Sequence, residues 1–205
     1  MNQIITISRE FGSGGRELGR RLSELLHFAY YDQEIITEIA KRTDLAEDYV
    51  RQVTESRPMI SYPIHIGVTF QRARNEAIAQ KAAVFQKQCD LLKELAEKSN
   101  CVIVGRSADN ILSAYAPYRI FVYSDLESKM ARCRLKGKEE QELSEHELKR
   151  QIRAVDKRRA EYYNFLTGQT WGDKENYDLC INTANRSIKK MAPGLAQMLS
   201  SAWDK

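Results

Sequence analysis

Eight residues near the start of the chain, Arg9-Glu10-Phe11-Gly12-Ser13-Gly14-Gly15-Arg16, set three glycines and two arginines between a β-branched run and leucines at helical spacing. Glycines lack a Cβ, so successive backbone amides can curl around an anion, and the amino end of the following helix adds a favourable dipole. Arg16, where that helix opens, completes a cradle for phosphate. The match to the pattern GxxxxGK[ST] is poor. Glu10 stands at its first glycine, Arg16 at its lysine and Glu17 at the hydroxyl that normally holds magnesium. A carboxylate at Glu17 can hold magnesium directly or through water, and Ser13 offers an alternative hydroxyl. The dinucleotide pattern GxGxxG fits no better. Gly12-Ser13-Gly14 begins it, Glu17 stands at its third glycine, and Asp32 lies at a tolerable distance for a ribose-binding acid. Two cofactor classes stay open on this motif alone.

The arginines of the second half separate them. Arg106 follows Gly105 directly after an apolar run, which lets its guanidinium project beyond the end of a strand. Arg132 lies on a helical segment before a charged connection. In Arg153-Ala154-Val155-Asp156-Lys157-Arg158-Arg159, Asp156 and Arg159 are three apart and share a helix face. Phosphoryl transfer asks a protein mainly to position groups and neutralise charge, which suits several convergent arginines. Hydride transfer has no such need.

The elements that must position these side chains alternate along the chain. Residues 3–8 read as a buried parallel strand, 16–27 as a helix and 28–31 as a short second strand. Asp32 is expected to cap the helix carrying Ile35, Ile36 and Ile39, and Asp44 with Glu47 reads as a capping box for the next. Pro58 and Pro63 mark a loop over 56–67, before a long helical pattern over about 70–98. Strands are expected at 101–104, 119–123 and about 177–182, with helices over 125–136, 144–163 and 187–203. This alternation predicts an α/β fold, a doubly wound parallel sheet with ligands at the carboxyl ends of its strands. The glycine turn, Asp32 and Gly105-Arg106 all fall at such ends.

Composition sets the outer bounds. The chain has 205 residues, room for one domain, with 42% hydrophobic and 29% charged residues, which excludes wholesale disorder. The net charge of +4 is too small to call for nucleic acid. No apolar run approaches the length of a membrane span, and the first residues lack the pattern of a secretory leader, so a cytoplasmic protein is expected. Cys89, Cys101, Cys133 and Cys180 fit neither a disulfide framework nor a zinc site, and His27, His65 and His146 are scattered. A metal held by protein side chains alone is not expected.

Taken together, ISREFGSGGREL, YYDQEII, VIVGR and VDKRRAEYYNFLTGQTWGDKENYDLCINT resemble the cytidylate kinase-like family over nearly the whole chain. The resemblance implies a three-layer P-loop-type parallel sheet of about five strands with helices on both faces. It implies an acceptor-binding helical region over about 32–99 and a lid over about 132–148, all in one domain spanning 1–205. It further implies that Gly12, Ser13, Gly14, Gly15, Arg16 and Glu17 hold donor phosphates and that Asp32 begins the acceptor pocket. Arg106 would contact the acceptor phosphate and Arg132 would serve the lid. Asp156 and Arg159 match a D-x-x-R element that contacts the acceptor nucleotide. The arginine four residues before that aspartate is Ile152 in this chain, so one acceptor contact is missing or supplied by Arg153. Transfer from ATP with magnesium to a nucleoside monophosphate, cytidylate by resemblance, is the expected activity, with Arg16, Arg132 and Arg159 neutralising charge. A non-catalytic nucleotide-binding module that has lost the lysine is the alternative, and a nicotinamide-binding oxidoreductase a more distant one. No nucleic-acid or membrane partner is expected.

Overall fold

The computed structural model describes residues 2–55, 68–136 and 142–203. The chain runs β1 (Ile4–Arg9), α1 (Gly15–Leu26), β2 (Ala29–Tyr31), α2 (Glu34–Thr43), α3 (Glu47–Glu55), α4 (Val68–Lys98), β3 (Cys101–Val104) and α5 (Ala108–Ile111). It continues through β4 (Tyr118–Tyr123), α6 (Leu126–Lys136), α7 (Glu145–Thr167), β5 (Leu179–Asn182) and α8 (Ile188–Trp203). The strands form one sheet in the order β2-β3-β1-β4-β5, and every pairing is parallel.

Strand period two separates the two faces. Ile4, Cys101 and Ile103 pack with Ile35, Ile36 and Ile39 of α2, Val50 of α3 and Leu92 of α4. Their neighbours Ile5, Ile7, Val102 and Val104 face the other way, onto Leu18 and Leu22 of α1 and Ala192 and Leu199 of α8. Near-continuous apolar runs on β1 and β3 follow from this two-sided burial. A third cluster, Cys133, Leu148 and Ile152 with Phe11, joins α6 and α7 to the glycine turn. The strand order also speaks to the nicotinamide reading. Here β3 lies between β2 and β1, whereas the dinucleotide-binding order places strand 2 directly beside strand 1.

Three local expectations change. Asp32 does not cap α2; the residue before that helix is Gln33, which makes no side-chain cap bond. Asp44 ends α2 in the left-handed region at φ 54° rather than opening α3. Its backbone N–H donates to the Ala40 carbonyl, so the short connection is spent closing one helix. Helix α7 does open on the expected capping box: the Glu147 amide donates to Ser144 Oγ at 3.3 Å, and the Ser144 amide to Glu147 Oε2 at 2.9 Å. It runs on to Thr167, where Gly168 stops it at φ 69°. The loop expected over 56–67 and the middle of the expected lid, 137–141, lie outside the described residues. No described helix is long and apolar enough to cross a membrane.

Candidate active site

β1 delivers the chain to the carboxyl edge of the sheet, where it turns through Gly12 at φ 74° and Gly14 at φ 85°. Both angles favour glycine. A Cβ at Gly12 would also lie 2.8 Å from the Lys129 carbonyl oxygen, so α6 presses directly on the turn. Gly14 precedes α1 and supplies no side-chain cap, which leaves the helix amino end to a ligand. Ser13, expected as a substitute metal ligand, is fully buried beneath the turn. Its hydroxyl donates to the Glu10 carbonyl at 2.8 Å, and its own carbonyl accepts from Thr183 Oγ1 at 2.7 Å.

A cavity of about 640 Å³ opens over this turn. Gly12, Gly14, Gly15, Glu17 and Asp32 line it, and five arginines, Arg9, Arg16, Arg20, Arg132 and Arg159, surround it. Arg16 Nε lies 2.5 Å from Asp32 Oδ2, and Arg9 Nη2 lies 3.8 Å from Asp32 Oδ1. Asp32 is 5% exposed, so both cations hold its carboxylate at the end of β2, and this long-range pairing displaces the expected cap. Beside them the Tyr30 hydroxyl is pushed up to about 12 by burial and by the Asp32 charge.

On the opposite wall, Arg132 lies across the turn. Its guanidinium donates to the Gly12 carbonyl at 3.4 Å, to Ser124 Oγ at 3.3 Å and to the Thr183 carbonyl. Burial lowers its pKa from the usual arginine value. Arg159 donates to the Arg9 carbonyl at 3.1 Å and lies over the Phe11 ring, 5.9 Å from its centre. Asp156, one helical turn earlier, accepts the Phe11 amide at 2.6 Å and Lys129 Nζ at 3.0 Å. The same ammonium lies 2.7 Å from Glu10 Oε2. The aspartate of the D-x-x-R element thus ties α7 to the glycine turn and α6.

Arg106 is placed beside this cavity rather than in its wall. It is 7% exposed, at φ 61°, and donates to Thr54 Oγ1 at 2.9 Å, while its carbonyl accepts from Gln88. A small neighbouring cavity of about 40 Å³ is lined by Thr54, Arg106 and Ser107, and Arg9 and Arg159 border both spaces. Arg153 is exposed and does not line either cavity. Ile152 is buried against Cys133 and Leu148. The aromatic stretch after α7 packs on the sheet, with Trp171 edge-on to Phe121 at 5.3 Å between ring centres.

Arg9, Glu10 and Lys129 are the site residues that motif reading misses. Arg9 carried a signal, since it ends the first strand at the same edge as the glycines. Lys129 and Glu10 meet across 119 positions of sequence, and no local spacing reports such a contact.

A five-stranded parallel sheet in this order, a glycine-rich turn opening α1 and a cation-lined cavity at the strand ends define a P-loop kinase-type α/β protein. The chain belongs to the cytidylate kinase-like family, whose model matches residues 4–185. An uncharacterized protein from Eubacterium ventriosum is similar in structure, with a TM-score of 0.70 and 25% identity over 98% of this chain and 99% of that one. Shikimate kinase from Acinetobacter baumannii, solved in complex with shikimate, gives a TM-score of 0.56 and 16% identity over 100% and 97% of the two chains. Shikimate kinase from Bacteroides thetaiotaomicron gives a TM-score of 0.56 and 16% identity over 97% and 98%. Comparison with curated proteins gives no match.

Proposed function

We propose that this protein transfers the terminal phosphoryl group of a nucleoside triphosphate, ATP, to a nucleoside monophosphate, with cytidylate as the acceptor the family suggests. The observation that carries the reading is the convergence of Arg9, Arg16, Arg20, Arg132 and Arg159 on one cavity at the open amino end of α1. A triphosphate laid in the glycine turn meets backbone amides, the positive helix end and fixed guanidinium groups together. An oxygen of the acceptor phosphate attacks the terminal phosphorus, the bond to the bridging oxygen breaks, and a nucleoside diphosphate leaves. The attacking oxygen is already anionic at neutral pH, so the protein need not remove a proton. Its work is positioning and neutralising charge. In this reading Gly12, Gly14, Gly15 and Glu17 border the donor, and Asp32, Arg106, Asp156 and Arg159 organise the acceptor side.

The side chains do not fit a metal held in the usual P-loop manner. Glu17 replaces the hydroxyl and pairs with Arg21 at 3.0 Å. Glu10 is bound to Lys129, Asp32 to Arg16, and the Ser13 hydroxyl is turned inward. Among the described residues no group of three or more His, Cys, Asp or Glu is placed to hold an ion. In this reading magnesium arrives with the nucleotide as part of the substrate.

The test is turnover by purified protein with ATP, magnesium and a panel of nucleoside monophosphates, with shikimate as an unphosphorylated comparison. Acceptor-dependent formation of ADP supports the kinase. Tight nucleotide binding without product from any acceptor favours the non-catalytic module, a reading that the Arg16–Asp32 pair also serves, because it draws the substitute for the lysine toward a carboxylate.

A further inference from the structure

The arginine that ends β1 is enclosed by backbone from two other elements. A Cβ at Gly15 would lie 2.5 Å from Arg9 Cβ, and a Cβ at Gly105 would lie 2.0 Å from Arg9 Nη1. Two glycines, one opening α1 and one following β3, therefore leave the space that this side chain fills. The result is an arginine side chain only 12% exposed, on the boundary between the large cavity and the small one beside Arg106.

Its electrostatic surroundings are lopsided. Burial, and after it the charges of Arg159, Arg106 and Arg16, push Arg9 down to about 9 against the pull of Asp32. That aspartate is 3.8 Å away and is held more closely by Arg16. A guanidinium keeps its proton at neutral pH, so the charge stays, and a bound anion would offset the free-energy cost of concentrating it.

We propose that Arg9 is the centre of a divalent-oxyanion site formed with Arg159 and Arg106 at the junction of the two cavities, a site that takes a phosphoryl group. Resting on the kinase reading, this junction is where the transferred group passes from donor to acceptor, and Arg9 does there what a P-loop lysine does elsewhere. Arg16, paired with Asp32 and more than half exposed, then flanks the donor. The planar fork of Arg9 can hold two oxygens of one phosphoryl group through two parallel N–H donors, a geometry that an ammonium with its three rotatable donors does not fix.

The experiment is calorimetric titration of the full chain with inorganic phosphate and with pyrophosphate, against chloride at matched ionic strength. Wild type is expected to bind both saturably. Arg9→Met should lose at least about tenfold in affinity, and Arg9→Lys, which keeps the charge but not the fork, should fall between. Arg42→Met, which removes an equal charge from a distant pair with Glu38 and Glu94, should bind like wild type. Urea midpoints identify any variant that fails to fold; if Arg9→Met does, Arg9→Lys decides. Phosphate binding that is absent in wild type, or equal in wild type and the folded Arg9 variants, overturns the site. Turnover is read separately: saturable, Arg9-dependent binding with no product from any acceptor keeps the oxyanion site and removes the kinase. If both hold, Arg9→Met should lower kcat by about 100-fold or more with a much smaller change in KM for ATP.

Discussion

Replacing Lys129 with methionine removes one ammonium and leaves two carboxylates facing the gap. The Lys129 side chain is 9% exposed and lies 2.7 Å from Glu10 Oε2 and 3.0 Å from Asp156 Oδ2. Removing one partner of a fully buried ion pair costs about 3–5 kcal/mol. Two features reduce that figure. Glu10 and Asp156 are 25% and 16% exposed, so water reaches both. Each also keeps a backbone donor, Ser124 N at 3.0 Å and Phe11 N at 2.6 Å. The expected loss is about 2–3 kcal/mol, which for a chain of this size corresponds to roughly 5–10 °C in Tm. Urea unfolding should show a lower midpoint with an unchanged slope, because the same surface is exposed on unfolding. Adding Glu10→Gln to Lys129→Met should recover about 1 kcal/mol or more, since the second change removes one of the stranded charges. A single variant within about 0.5 kcal/mol of wild type, or strictly additive effects, would refute the claim that this ammonium clamps α6 and α7 to the glycine turn.

Other perturbations separate the remaining contacts. Arg16→Ala should weaken ATP use and Arg159→Ala acceptor use, each about tenfold or more in KM or kcat with the urea midpoint preserved; unchanged kinetics in both would remove the site assignment. Gly12→Ala puts a methyl at φ 74° and 2.8 Å from a backbone oxygen, so a loss of more than about 2 kcal/mol and of nucleotide binding is expected from denaturation and titration. Asp109, whose carboxylate accepts the Tyr163 hydroxyl at 2.7 Å, is raised above its ordinary 3.8 by burial. The native state then holds more protons than the unfolded chain above that value, so stability falls as pH rises through the window up to the raised pKa. Asp109→Asn should gain on wild type as urea unfolding is repeated from about pH 3.5 to pH 7, and a constant difference would count against this.

Strands and helices were legible where their signals are local. The β-branched run of β1 and the apolar residues of β3 are buried on both faces, and that burial is what such runs report. Ser144 and Glu147 marked the start of α7 because a capping box is complete within four residues. Asp32 shows where this logic stops. An aspartate just before an apolar helix reads as a cap, but Arg16 and Arg9 reach its carboxylate from α1 and β1, and two cations outweigh one amide. The glycine turn and the arginines around it were visible as types and order. The partners of Glu10, Lys129 and Asp156 were not, because three separate elements must be assembled before those charges meet.

Ile152 bears directly on the choice of acceptor. Where the family resemblance implies an arginine, this chain has a side chain 1% exposed that packs α7 onto Cys133 of α6. An arginine there would bring a charge into an apolar contact, so the residue has been committed to joining the two helices. Arg153, the neighbouring substitute, is exposed and outside both cavities. On the kinase reading proposed above, the acceptor side would lack that cation on α7, while Arg9 borders both cavities from the end of β1. In the structure Asp156 of the D-x-x-R element holds Lys129 and the Phe11 amide, and Arg159 donates to the Arg9 carbonyl. If the kinase reading holds, recognition is expected to depend more on phosphate than on base, so the acceptor panel extends past cytidylate to other small phosphorylated molecules.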